Sequence, residues 1–108
     1  MPLPDLTHLQ FLVLSILLDG EQAGRDVRQK LEDEGESKSG PAFYQMMARL
    51  EEAGSVEGWY DEKVIDGQRI KERRYRITGA GEAARQEVWE FYRHHFRRKK
   101  LSGKLGTA

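Results

Sequence analysis

The chain has 108 residues, no cysteine, and equal numbers of basic and acidic side chains, 18 of each. That length builds one modest core and leaves no room for a second domain, and the lack of cysteine excludes disulfides and thiolate metal sites. The longest apolar run, FLVLSILL at 11–18, is too short to span a bilayer and has neither the basic flank nor the cleavage site of a signal peptide, so a cytoplasmic protein with no membrane partner is expected.

The elements follow in chain order. Leu6–Leu18 is almost wholly apolar and thirteen residues long, which suits a helix, started by Asp5 or Thr7 and ended by Asp19-Gly20. A helix apolar on most sides must be covered on most sides, so part of its cover is expected from a partner chain. Ala23, Val27 and Leu31 mark one stripe of a short second helix reaching about Asp33. After the polar turn at 34–40, Ser39 is the expected N-cap of a third helix, with Pro41 in its first turn. Phe43, Met46, Met47 and Leu50 form its core face, and Gly54 ends it.

Past Gly54 the period becomes two. SVEGWY (55–60) and RRYRIT (73–78) read as strands, joined through an Asp66-Gly67 hairpin turn. Tyr75 and Ile77 share one face of the second strand, and Arg74 and Arg76 the other. Ile70 breaks that parity, so only the base of the hairpin is expected to pack, with a mobile tip. Thr78 caps a fourth helix that runs from near Ala80 to about Lys100. Its stripe is Ala84, Val88, Phe91, Tyr92 and His95, flanked by Trp89 and Phe96, and this arc exceeds the ~100° that one contact needs. A homodimer through Leu9, Val13, Val88, Trp89, Tyr92 and Phe96 is therefore expected.

Three helices, a two-stranded wing and a long C-terminal helix make a mostly α winged helix-turn-helix. Residues 1–78 are the expected DNA-binding domain, 79–101 the dimerisation helix and 102–108 a flexible tail.

Charge is unevenly spread. Residues 1–62 hold 5 Lys/Arg and 13 Asp/Glu, while residues 63–108 hold 13 Lys/Arg and 5 Asp/Glu. Such polarisation fits a polyanion partner for the basic half, and it fits equally two halves that neutralise each other in the fold. The helix order favours the first reading for the basic segment GQRIKERRYRITGAGEAAR at 67–85. The third helix of such a unit enters the major groove of double-stranded DNA. Gln45 suits adenine N6/N7, Arg49 suits guanine or a phosphate, and Ala48 allows close approach. Lys38, Ser39, Ala42 and Tyr44 flank them. Arg69, Lys71, Arg73 and Arg74 on the wing are the expected phosphate contacts. Glu51 and Glu52 lie in the last helical turn, away from the groove floor.

Three stretches resemble the PadR family of bacterial transcriptional regulators: LVLSILLDGEQAGRDV (12–27), SGPAFYQMMARLEEAGSVE (39–57) and GQRIKERRYRITGAGEA (67–83). The second holds the family's aromatic position (Tyr44), its Arg-Leu pair (Arg49-Leu50) and its closing Gly54. The third holds the Tyr-x-Ile-Thr-x-x-Gly join through Tyr75, Ile77, Thr78 and Gly81. Pro41-Ala42 stands where the family usually has Gly-Thr, removing a DNA-contacting hydroxyl, and Ser55 replaces a usual Leu. The resemblance implies a sequence-specific regulator, a repressor by type. It also implies a homodimer whose C-terminal helix crosses to the partner, similar to the short subclass. In some short members flat aromatic ligands sit between tryptophans at the dimer interface, which would make Trp89 the ligand residue for a small aromatic effector.

The alternative is a protein-interaction module on the same scaffold, suggested by the acidic front half, Glu51-Glu52 and Ala42. No paired carboxylates, nucleophile–base arrangement or phosphate-binding Gly-rich loop points to an enzyme or a cofactor. His8 and His94-His95 lack metal-ligand spacing.

Overall fold

Thr7 starts the first helix. Its hydroxyl accepts from the Gln10 amide at 3.1 Å, and Gln10 Oε1 accepts from the Thr7 amide at 3.0 Å, so two orphan donors are satisfied reciprocally. In this computed structural model, which describes the backbone of residues 3–107 and the side chains of residues 3–96, that helix is α1, His8–Leu17. The expected 102–108 tail and the RRKK side chains that precede it lie outside the residues whose side chains are described.

A two-residue strand, β1 (Gln22–Ala23), then leads into α2, Gly24–Asp33. α3 is Gly40–Glu52, with Ser39 Oγ accepting from the Ala42 amide at 3.3 Å and Pro41 in the first turn. Gly54, at φ 76°, turns the chain out of α3, and the Ser55 amide reaches back to the Leu50 carbonyl at 2.9 Å. β2 (Val56–Ile65) and β3 (Gln68–Ile77) pair antiparallel at every position from Val56↔Ile77 to Ile65↔Gln68. Asp66 (φ 51°) and Gly67 (φ 77°) both take the left-handed conformation that a two-residue hairpin turn requires. α4 is Gly79–Thr107, capped by Thr78, whose hydroxyl accepts from the Gly81 amide at 3.0 Å and donates to the Gly54 carbonyl at 2.6 Å.

Three elements differ from the sequence expectation. The backbone of α4 continues to Thr107 instead of ending near Lys100, so 102–107 extend the helix where a tail was expected. The strands run to the turn rather than stopping at Tyr60 and Arg73, because backbone pairing continues where side-chain burial ends. The sheet also has a third strand: β1 pairs with β3 through Gln22↔Tyr75 and Ala23↔Arg74, giving the order β1-β3-β2. Two residues carry no periodicity, so only the tertiary approach of α2 to the wing reveals that strand.

Val13, Leu14 and Leu17 of α1 meet Val27 and Leu31 of α2, Phe43, Met47 and Leu50 of α3, and Val56 and Tyr75 of the sheet. Only the base of the hairpin joins this core; Tyr60, Val64 and Ile70 further out are exposed. Val13 has no exposed surface, which overturns its expected place in a dimer interface. Val13 belongs to the core cluster with Val27 and Leu31 of α2 and Phe43, Met47 and Leu50 of α3, all of its own chain. Val88 is likewise buried within the chain and Leu9 half-buried, whereas Trp89, Tyr92 and Phe96 stay exposed.

Candidate nucleic-acid interface

The wheel of α3 turns Phe43, Met46, Met47 and Leu50 inward and leaves Tyr44, Gln45, Ala48 and Arg49 on the outside. Gln45 and Arg49 are one turn apart on that outer face. Ser39 is exposed and engaged as the helix cap. Lys38 and Ala42 are half-buried, and the Lys38 carbonyl accepts from Arg28 Nε at 3.0 Å, which pins the loop entering α3. Tyr44 leans toward the sheet. A Cβ at Gly24 would sit 3.0 Å from the Tyr44 ring and 3.1 Å from that of Tyr75, so Gly24 is the gap that lets these rings close over the start of α2.

Between α3 and the wing runs a cleft of about 490 Å³, lined by Tyr44, Ala48 and Glu51 on one wall and Tyr60, Lys71, Arg73 and Tyr75 on the other. The alternation of β3 decides which cations reach it. Tyr75, Arg73, Lys71 and Arg69 share the cleft-side parity; Arg76, Arg74, Glu72 and Ile70 share the opposite one. Lys71 and Arg69 are exposed and make no ion pair among the described residues.

Arg73 and Arg74, both expected to touch phosphate, are occupied inside the fold. Arg73 donates to Glu51 Oε1 of α3 and lies over the Tyr60 ring, 4.8 Å from its centroid, and near the Tyr75 ring at 5.5 Å. Burial works against its charge, but the nearby Tyr75 side chain and the field of Glu51 outweigh it and hold the guanidinium above its usual range. Burial also pushes the Tyr75 hydroxyl up, with Arg73 opposing. Arg74 faces the other side of the sheet and bonds Glu72 Oε2 at 3.1 Å.

Glu72 is a buried carboxylate shared by three cations, with Arg25 of α2 at 2.8 Å and Lys63 of β2 at 3.2 Å. The Lys63 hydrogen bond, working against burial and helped by Arg74 and Arg25, holds its carboxyl below the usual carboxylate range. Arg76 closes a further pair with Glu57. Part of the basic segment therefore neutralises acids of the fold, as the second reading of the charge asymmetry expects, while Arg69 and Lys71 stay unpaired among the described residues.

Tyr60, Glu51, Lys63 and Arg25 escaped sequence reasoning. Tyr60 and Lys63 were within reach, since counting outward from the Asp66-Gly67 turn sets Tyr60 opposite Arg73 and Lys63 opposite Ile70, two residues from Glu72 on the same face. Glu51 and Arg25 come from helices whose angle to the hairpin no local pattern encodes.

A second groove, about 330 Å³, lies between the start of α1 and α4, lined by Leu6, His8, Phe11, Trp89, Tyr92 and Phe96 among others. Arg85 lies 5.4 Å from the Phe11 ring centroid and 5.8 Å from that of Trp89, and its Nε donates to Ser15 Oγ at 2.9 Å. His8, at the rim of this groove, also meets Glu36 Oε1 at 3.1 Å.

The backbone is similar to that of a PadR family transcription regulator from hypervirulent Clostridium difficile R20291, with TM-score 0.72 and 19% identity over 92% of this chain and 99% of that one. It is also similar to a PadR family transcriptional regulator from Eggerthella lenta DSM 2243, with TM-score 0.69 and 26% identity over 93% of this chain and 83% of that one. The chain has the winged-helix fold of these PadR family structures. The chain is also similar to Bacillus subtilis PadR in complex with operator DNA, with TM-score 0.64 and 21% identity over 77% of this chain and 47% of that one. No family model and no curated protein matches the sequence.

Proposed function

We propose that the chain is a sequence-specific DNA-binding transcriptional regulator, a repressor, acting as a cytoplasmic homodimer. The observation that carries this reading is the cleft between α3 and the wing: Tyr44 and Ala48 of α3 and Lys71 of β3 line one opening, with Gln45 and Arg49 exposed on the adjoining face of α3 and Arg69 exposed two residues before Lys71 on β3. A duplex seated there meets base-reading groups from α3 in the major groove and phosphate-binding groups from the wing. The similarity to Bacillus subtilis PadR, whose structure is a complex with operator DNA, supports DNA binding. Exposed Trp89, Phe91, Tyr92 and Phe96 supply the apolar face through which α4 pairs with a second copy. The groove beside Trp89 is where a small aromatic effector would act on that pairing.

Selection of bound sites from random DNA, with affinity measured against salt, tests the reading. A preferred site whose binding weakens steeply with salt is expected; no preference, or a flat salt response, refutes it. One observation favours the protein-interaction alternative: Arg73, Arg74 and Arg76 are neutralised within the fold, leaving a less basic face than the sequence implies. A stoichiometric protein partner together with no DNA retention would favour that module.

A further inference from the structure

The Glu51–Arg73 pair bridges the two elements that a duplex would have to meet at once, α3 and the wing. It forms the floor of their cleft and is only about one quarter exposed, 26% for Glu51 and 24% for Arg73. Three features hold it in one geometry. Tyr60 and Tyr75 flank the guanidinium on the wing side. Gly58, directly opposite Tyr75 in the ladder, leaves the space: a Cβ there would collide with Glu51 Oε1 and lie 2.8 Å from an Arg73 guanidinium nitrogen. Glu51 itself sits in the last turn of α3, where the helix is anchored by Met47 and Leu50 in the core.

We infer that this pair is a joint that fixes the angle between the recognition helix and the wing, and that Arg73 is a positioning residue which stays on Glu51 when DNA binds. The inference rests on the proposed DNA-binding function and assigns the cations of β3 to separate tasks. Arg69 and Lys71 neutralise phosphate; Arg73 sets where they stand. Such a joint acts by keeping the chain in the binding-competent arrangement. If loosening it lowers the competent fraction to about a tenth, the apparent Kd rises about tenfold while the bound state, and the number of phosphates it neutralises, stays the same.

That separates the joint from direct phosphate contact by sign and by slope. Affinity is measured across salt for Glu51→Gln, Arg73→Gln, the double variant and Lys71→Gln. Expected are weaker binding for both Glu51→Gln and Arg73→Gln, no further loss in the double variant because the pair acts as a unit, and an unchanged salt slope. Lys71→Gln flattens the slope by about 0.9. Were Arg73 a phosphate ligand restrained by Glu51, Glu51→Gln would tighten binding and Arg73→Gln would flatten the slope; either result overturns the joint. The free protein gives an independent reading through amide exchange at Tyr60 and Arg73, expected to quicken in each single variant and no further in the double. Unchanged exchange also overturns the joint, whereas failure of the parent chain to bind any DNA refutes the regulator and leaves the exchange result to decide the joint.

Discussion

Replacing Gly81 with alanine tests how closely α4 approaches the sheet. Alanine in a helix is normally favoured over glycine by about 0.5–1 kcal/mol, so local propensity alone expects stabilisation. The tertiary structure reverses the sign. A Cβ at Gly81 would collide with the Ser55 carbonyl oxygen and lie 2.9 Å from Ile77 Cγ1. The carbonyl cannot swing away freely, because it accepts from the Thr78 amide at 3.1 Å where the chain leaves β3. Overpacking of this kind costs about 1–3 kcal/mol. Subtracting the propensity gain leaves a net loss of up to about 2.5 kcal/mol, and the mid-range loss of about 1 kcal/mol lowers Tm by roughly 4–8 °C in a domain of this size. Gly79 is the internal control, since a Cβ there meets nothing within 4 Å. Gly79→Ala should be neutral or stabilising by about 0.5–1 kcal/mol. Thermal and urea unfolding followed by circular dichroism, at one fixed protein concentration, compares the two. If Gly81→Ala stabilises as much as Gly79→Ala does, the close packing of α4 on the β2–β3 base is wrong.

Three further outcomes are expected. Changing Arg69 and Lys71 together to glutamine should reduce the salt slope of DNA affinity by about 1.8, two phosphates at about 0.9 each, across all sequences, and leave site preference intact; binding titrations at several salt concentrations decide it. Glu72, held below the usual carboxylate range in the fold, contributes stability that is present above its unfolded pKa and lost as pH falls through the folded one. Urea midpoints measured from neutral to strongly acidic pH should therefore fall on the acid side, and Glu72→Gln should lower the neutral midpoint and flatten that fall. Trp89→Glu, placing a charge on the exposed aromatic face of α4, should convert a dimer to a monomer in light scattering at micromolar concentration; a parent chain already monomeric there counts against the dimer.

The helix caps, the hairpin turn and the core face of α3 were legible because each is written in neighbours. Ser39 and Thr78 meet amides three residues on, Asp66-Gly67 supplies the two left-handed positions, and Phe43, Met46, Met47 and Leu50 recur at helical spacing. The candidate site was legible in its outer residues, Gln45, Arg49, Arg69 and Lys71, whose exposure follows from periodicity. Val13 was misplaced because an all-round apolar helix does not say whether its own chain or a partner covers it. The ion pairs of Arg73 and Arg74 were not legible: the two face opposite sides of the strand, Glu51 meets Arg73 from another element, and Glu72, two residues before Arg74 on β3, gathers Arg25 and Lys63 from elsewhere in the fold.

Local order in this protein was thus determined by the sequence alone: which segments are helical, where they stop, and how the hairpin turns, since caps, period and left-handed turn residues act over a few positions. The tertiary structure decided the use of the charges and the third strand. An ion pair such as Arg73 with Glu51 joins residues 22 apart, and β1 meets β3 across half the chain, so both depend on how α2 and α3 lie against the hairpin. That geometry is set by packing of the whole core, and it leaves two of the four expected wing cations free to meet a polyanion.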